Sequence, residues 1–128
     1  MTITLDTICR TTWFDAVRTS LEDLSSLEPG WDSYHALPTA PESIESALGF
    51  LASVLSPDST PPAVVPLADG GVQLEWHRAG LEVEVAFAPD EEAEMYVADH
   101  ETGHAWDFNP SSPAFEEIRP LLTRLRAH

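Results

Sequence analysis

The sequence predicts a small α+β domain: an antiparallel sheet of three or four strands, with two N-terminal helices and one C-terminal helix packed on its apolar face. Three observations lead there. Period-two alternation is sustained across two neighbouring runs between Asp69 and Phe87, the pattern of a hairpin with one buried face. Two segments before it and one after it carry apolar residues at helical spacing. The chain of 128 residues with 43% hydrophobic content is large enough for one core, so residues 1–128 are expected to form a single domain.

The hairpin sets the register. Val72, Leu74 and Trp76 share one face of the first run, and Leu81, Val83, Val85 and Phe87 share one face of the second. A two-residue turn at Ala79-Gly80 pairs Arg78 with Leu81. Val72 then falls opposite Phe87, Leu74 opposite Val85 and Trp76 opposite Val83, with every large apolar residue on one side. The same register sets Glu75 opposite Glu84 and His77 opposite Glu82. Facing like charges destabilise a sheet by a few tenths of a kcal/mol to about 1 kcal/mol, so this side is either well solvated or shaped for a cationic partner.

The other elements follow in chain order. Residues 1–10 fit either a short strand, from the alternation of Ile3 and Leu5, or a loose lead-in. From Thr12 a helix is expected, with Trp13, Phe14, Val17, Leu21, Leu24 and Leu27 on one stripe. Thr12 and Asp15 have capping-box spacing, and Pro29-Gly30 ends the helix. Residues 31–38, WDSYHALP, form a loop. A second helix then runs to about Leu55, capped by Thr39 and Glu42 and burying Ile44, Ala47, Leu48, Leu51 and Leu55. The Pro-rich stretch 56–62 is a linker of ordinary loop length. Val64 and Val65 give a short strand that Pro66 confines to a sheet edge. Another strand is expected around Met95 to Ala98, and residues 99–112 read as loop with short extended pieces near Trp106 and Phe108. Pro113 opens a final helix whose buried stripe is Phe115, Ile118, Leu122 and Leu125. Glu116 and Glu117 lie early in it and Arg119, Arg124 and Arg126 late, as the helix macrodipole favours.

The loop GWDSYHALP, the amphipathic helix after it, and the run P-x-x-DGGVQLEW together resemble a widespread group of small uncharacterised bacterial proteins. These carry a Gly-Trp-Asp/Asn-x-Tyr-x-Ala-x-Pro loop followed by an Asp-Gly-x-x-x-Leu-Glu-Trp hairpin. The matching positions are Gly30, Trp31, Asp32, Tyr34, Ala36, Pro38, Pro66, Asp69, Gly70, Leu74, Glu75 and Trp76, within a correspondence from Leu24 to Val97. His35 stands where the group usually has Gly. The resemblance implies the architecture and brings no settled activity.

Charge narrows the function classes. The net charge is −16, and between residues 19 and 118 the only basic side chain other than His is Arg78. Direct nucleic-acid binding is not expected from such a chain. The single cysteine, Cys9, excludes an intramolecular disulfide and fits a reducing compartment, so the cytoplasm is the expected location. Cys9 has no paired His that would give it a catalytic role. Neither a secretory signal nor a membrane span is expected from the N-terminal run or from any apolar stretch.

Four features carry candidate chemistry. His100, Glu101 and His104 fit H-E-x-x-H, which on a helix places two imidazoles one turn apart around a zinc ion with Glu101 as general base. Gly103 inside the motif opposes that helix by about 1 kcal/mol relative to Ala, and a polar turn between extended segments is the competing reading. A non-catalytic metal site with His77 added is a further alternative. Glu75, Glu82 and Glu84 with His77 could be an active-site cluster of mutually perturbed carboxylates, or simply a solvated sheet face. Trp31, Asp32 and Tyr34 form either a recognition loop or, for Trp31, a core plug with Asp32 capping local amides.

No Ser-His-Asp order, phosphate-cradling glycine loop, cysteine pair or basic groove is present. The favoured expectation is therefore a non-enzymatic, cofactor-free binding protein, of antitoxin, immunity or inhibitor type, that engages a basic partner. Its contact candidates are Glu75, Glu82, Glu84, Asp90, Glu91, Glu92, Glu94 and Tyr34. The alternatives are a small zinc-dependent hydrolase using His100, Glu101 and His104, a nucleic-acid mimic, and a homo-oligomeric structural subunit.

Overall fold

A computed structural model describes residues 13–56 and 58–126. The strand expected from Ile3 and Leu5, together with Cys9 and Thr12, lies outside them. Five strands form one sheet: β1 (Ala63–Pro66), β2 (Val72–Arg78), β3 (Leu81–Phe87), β4 (Glu94–Asp99) and β5 (His104–Phe108). They lie in chain order and every neighbouring pair is antiparallel. The expected three or four strands thus become five, because the extended pieces near Trp106 and Phe108 join into β5 along β4. The edge strand holding Pro66 is where the missing N–H requires it.

The β2–β3 register is the one the alternation dictates, from Val72 opposite Phe87 to Arg78 opposite Leu81. At the turn, Ala79 and Gly80 have φ of 53° and 75°, the two consecutive left-handed residues that a tight hairpin turn uses to match strand twist. The β1–β2 turn has its own signature. The Asp69 carboxylate accepts a hydrogen bond from the Gly71 N–H at 2.8 Å, Gly70 has φ 91°, and a Cβ at Gly71 would lie 2.8 Å from the Phe87 carbonyl oxygen. Asp-Gly-Gly is therefore required by a local turn and a close backbone approach.

The helices are α1 (Asp15–Ser25), α2 (Pro41–Val54) and α3 (Ala114–Ile118), the last continuing as a 3₁₀ segment over Arg119–Leu125. Val17, Leu21 and Leu24 of α1, Ala47 and Leu51 of α2, and Phe115, Ile118, Leu122 and Leu125 of the C-terminal segment join the inward side chains of β2, β3 and β4 in one core. Trp13 and Trp76 belong to the same core, and their indole N–H groups donate to the carbonyls of Ser56 (3.1 Å) and Thr60 (2.9 Å). Phe50 bridges Phe87 and Phe115, with ring centroids 5.7 and 6.4 Å away.

Several expectations are corrected. The expected C-terminal α-helix is α-helical for only five residues, because Pro120 has no N–H to donate and its ring clashes with the preceding turn. The 3₁₀ geometry still buries Leu122 and Leu125, which lie three residues apart on one face. The Thr39–Glu42 capping box does not form. Ala40 flanks the helix, Pro41 occupies its first turn, and the buried Thr39 hydroxyl has no partner among the described residues. Ile44, Leu48 and Leu55 are only partly buried, whereas Ser43 is buried.

A buried ion pair ties the C-terminal segment to the sheet. Asp99 is 3% exposed and accepts two hydrogen bonds from Arg124, at 2.8 and 3.3 Å. Arg124 also pairs with Glu101 at 3.1 Å. The hydrogen bond from Arg124 holds the Asp99 carboxyl below its ordinary value despite burial, with the Glu101 N–H and the Arg124 charge acting in the same direction.

Candidate functional site

All three helical segments contribute to the core on one face of the sheet. Alternation assigns the opposite face. It carries Gln73, Glu75 and His77 from β2, Glu82, Glu84 and Ala86 from β3, Glu94, Tyr96 and Ala98 from β4, and Ala105 and Asp107 from β5. Pairing aligns Glu75, Glu84, Tyr96 and Asp107 in one row across four strands. A second row runs His77, Glu82, Ala98 and Ala105. Among the described residues this face has no Lys or Arg.

The electrostatics follow from that alignment. Burial, a hydrogen bond with Glu82, and the charges of Glu75 and Glu82 raise the Glu84 carboxyl above its ordinary value, opposed in part by His77. Glu75 is drawn to one side by the Gln73 amide, which donates to it at 2.6 Å. His100 reaches the face from the β4–β5 turn, its Nε2 lying 3.3 Å from Glu82 Oε1.

A raised carboxyl pKa in the folded state means that ionised Glu84 costs stability. The cost is full above the folded pKa and vanishes below the unfolded value, about 4.3 for Glu. Glu84→Gln should therefore stabilise the protein at pH 7 by about 0.2–1 kcal/mol. Urea denaturation in metal-free buffer should show this gain shrinking to nothing below about pH 4. Destabilisation at pH 7 would contradict the reading of the face as strained by its own charge.

The other contact candidates fall elsewhere. Asp90, Glu91 and Glu92 are exposed in the β3–β4 loop, where Glu92 accepts a hydrogen bond from the Asn109 side chain at 2.9 Å. Glu91 and Glu92 line a surface depression with Glu94 and Asp107, which makes the loop continuous with the open face. Tyr34 is 80% exposed and belongs to a different feature, the loop at residues 31–38. Asp32 organises that loop as expected, accepting hydrogen bonds from the N–H groups of Tyr34 (2.9 Å) and Ala36 (3.2 Å). The expectation that Trp31 plugs the core is corrected. Its ring is half-buried outside the core and its Nε1 donates to the Leu37 carbonyl at 2.8 Å, stabilising the loop itself.

The H-E-x-x-H segment is not helical. Residues 100–103 form the β4–β5 turn, with Gly103 at φ 80°, and His104 opens β5. Glu101 is engaged by Arg124, and the His104 ring packs edge-on to Trp106 with centroids 5.9 Å apart. The one-turn spacing of His100 and His104 that the hydrolase alternative requires is therefore absent, and the polar turn is the correct reading.

Two residues of the face were beyond the site reading of the sequence. Tyr96 could be found from the Met95/Val97 alternation, which turns it outward. Asp107 depends on β5. The chain matches no protein-family model, no curated protein and no solved structure.

Proposed function

We propose that this chain is a non-enzymatic binding protein that engages a basic partner protein through the open face of its sheet, as an antitoxin, immunity or inhibitor protein of the bacterial cytoplasm would. One observation carries the reading: among the described residues no helix covers a sheet face that sets carboxylates against one another across β2 and β3, at a cost in stability and with no Lys or Arg of its own. A cationic partner surface relieves that repulsion, speeds encounter and fixes orientation. Tyr96, 37% exposed between Glu84 and Asp107, supplies an aromatic anchor within the charged field. Glu75, Glu82, Glu84 and Glu94 are the central contacts, Asp90, Glu91 and Glu92 extend the acidic surface at its edge, and Tyr34 would engage the same partner only if it reached the adjoining end.

No helix among the described residues is long and apolar enough to cross a membrane. Self-assembly through this face is disfavoured by like-charge repulsion. A nucleic-acid mimic is the variant in which the partner's basic surface is itself a DNA- or RNA-binding groove, and competition by duplex DNA for the same partner distinguishes it.

Neutralising Glu82 and Glu84 together to Gln should weaken partner binding about tenfold to a hundredfold and flatten its dependence on ionic strength. Titration calorimetry or surface plasmon resonance at several salt concentrations measures both. Unchanged affinity and slope would reject this face.

A further inference from the structure

The face carries a more specific chemistry at its hairpin end. The β2–β3 pairing sets His77 directly opposite Glu82, with Glu84 two residues along the same strand and on the same side. One ligand-type atom from each of these three side chains lies within 4.8 Å of the other two. The β4–β5 turn is fixed against the hairpin turn by the His100 N–H, which donates to the Gly80 carbonyl at 2.8 Å. That anchor brings a second imidazole to the cluster, His100 Nε2 standing 3.3 Å from Glu82 Oε1. Two carboxylates and one imidazole thus converge from two strands, with a second imidazole beside Glu82 from the β4–β5 turn.

The spacing has a chemical meaning. Around a zinc ion with ligand bonds of about 2.0–2.2 Å, tetrahedral ligand atoms stand roughly 3.4 Å apart. The Glu82–His100 separation already has that value. The ligand atoms of His77 and Glu84 lie within 4.8 Å of each other and of that of Glu82, with both backbones held in place by the strand pairing. Imidazole nitrogen combined with carboxylate oxygen suits zinc and its transition-metal neighbours, whereas magnesium and calcium favour oxygen-only shells.

We infer that His77, Glu82 and Glu84, completed by His100, form a binding site for a zinc-class divalent ion on the open face of the sheet. Bound metal neutralises the two carboxylates and pins the β4–β5 turn to the hairpin. This site differs from the helical His100–His104 arrangement in using neither Glu101 nor His104. It also stands apart from the partner reading, because metal binding is measured on the purified chain alone.

The test is calorimetric titration of zinc chloride into the full chain after chelator treatment, with circular dichroism confirming that each variant is folded. The expected result is one ion per chain. Affinity should fall at least tenfold in His77→Ala and in Glu84→Gln, stay unchanged in His104→Ala, and resist millimolar magnesium. Glu84→Gln removes a repulsion, so loss of binding there is not a folding defect. Absence of saturable binding, binding that survives His77→Ala, loss in His104→Ala, or displacement by magnesium would each overturn the assignment.

Discussion

Trp76→Ala should unfold the protein at markedly milder conditions, with a loss of about 3–5 kcal/mol from a total stability typically of about 5–15 kcal/mol. Trp76 is 3% exposed, sits opposite Val83 at the centre of the hairpin and belongs to the single core. Truncation leaves a cavity that the fixed strand pairing cannot close, and it orphans the Thr60 carbonyl that the indole N–H satisfies. Trp76→Phe separates the two contributions. It retains most of the volume and loses the hydrogen bond, so it should fall well short of the Ala loss. Denaturant midpoints for the three proteins measure this, and equal losses in the two variants would place the whole effect in the hydrogen bond. The variant also probes the functional surface indirectly, since Glu75 and His77 flank Trp76 and project from the opposite face.

Arg124→Ala should destabilise more than surface substitutions, which ordinarily fall within about 0.5 kcal/mol, and the deficit should depend on pH. Removing the guanidinium leaves Asp99 buried and ionised without its partner. The folded Asp99 carboxyl is lowered below its unfolded value, so the stability it contributes is present above the unfolded pKa, about 3.9, and is lost as pH falls through the folded one. The gap between wild type and Arg124→Ala should therefore be widest near neutrality and narrow in acid. Adding Asp99→Asn to Arg124→Ala should recover part of the loss at pH 7 and nothing at the acid end. A gap independent of pH would assign the effect to lost packing of the Arg124 stem.

Where local pattern and tertiary demand agree, the fold is legible in the sequence. The β2–β3 register follows from strict alternation and a turn whose second residue is Gly, and the edge position of β1 follows from Pro66. The stripe Phe115, Ile118, Leu122 and Leu125 marks the buried face of the C-terminal segment but not its helix type, because the same spacing serves an α-turn running into a 3₁₀ segment. Pro120 decides that. The fifth strand is short and lies at an edge, and its outward positions, Ala105 and Asp107, give a weak alternation signal. Trp31 illustrates a different limit. A large aromatic in a loop reads as a core plug until its N–H is seen to close the loop on Leu37.

The site divides along the same line. Glu75, Glu82 and Glu84 were legible as one face because their positions follow from hairpin register alone. The addition of Tyr96 and Asp107 requires pairing across two further strands. The approach of His100 to Glu82 depends on a turn-to-turn hydrogen bond that no spacing rule encodes. The H-E-x-x-H pattern shows the converse, a motif complete in sequence and dismantled by a glycine-containing turn.

The proposal that the open acidic face is the binding surface is tested most directly by affinity capture from the native lysate with two baits: the wild-type chain and a variant carrying Glu75→Gln, Glu82→Gln and Glu84→Gln. Both are washed at low and at raised salt, and the retained proteins are identified by mass spectrometry. The expected result is a basic protein held by the wild type at low salt, released by added salt and missing from the variant. The same proteins on both baits, or no basic protein on the wild type, would contradict it.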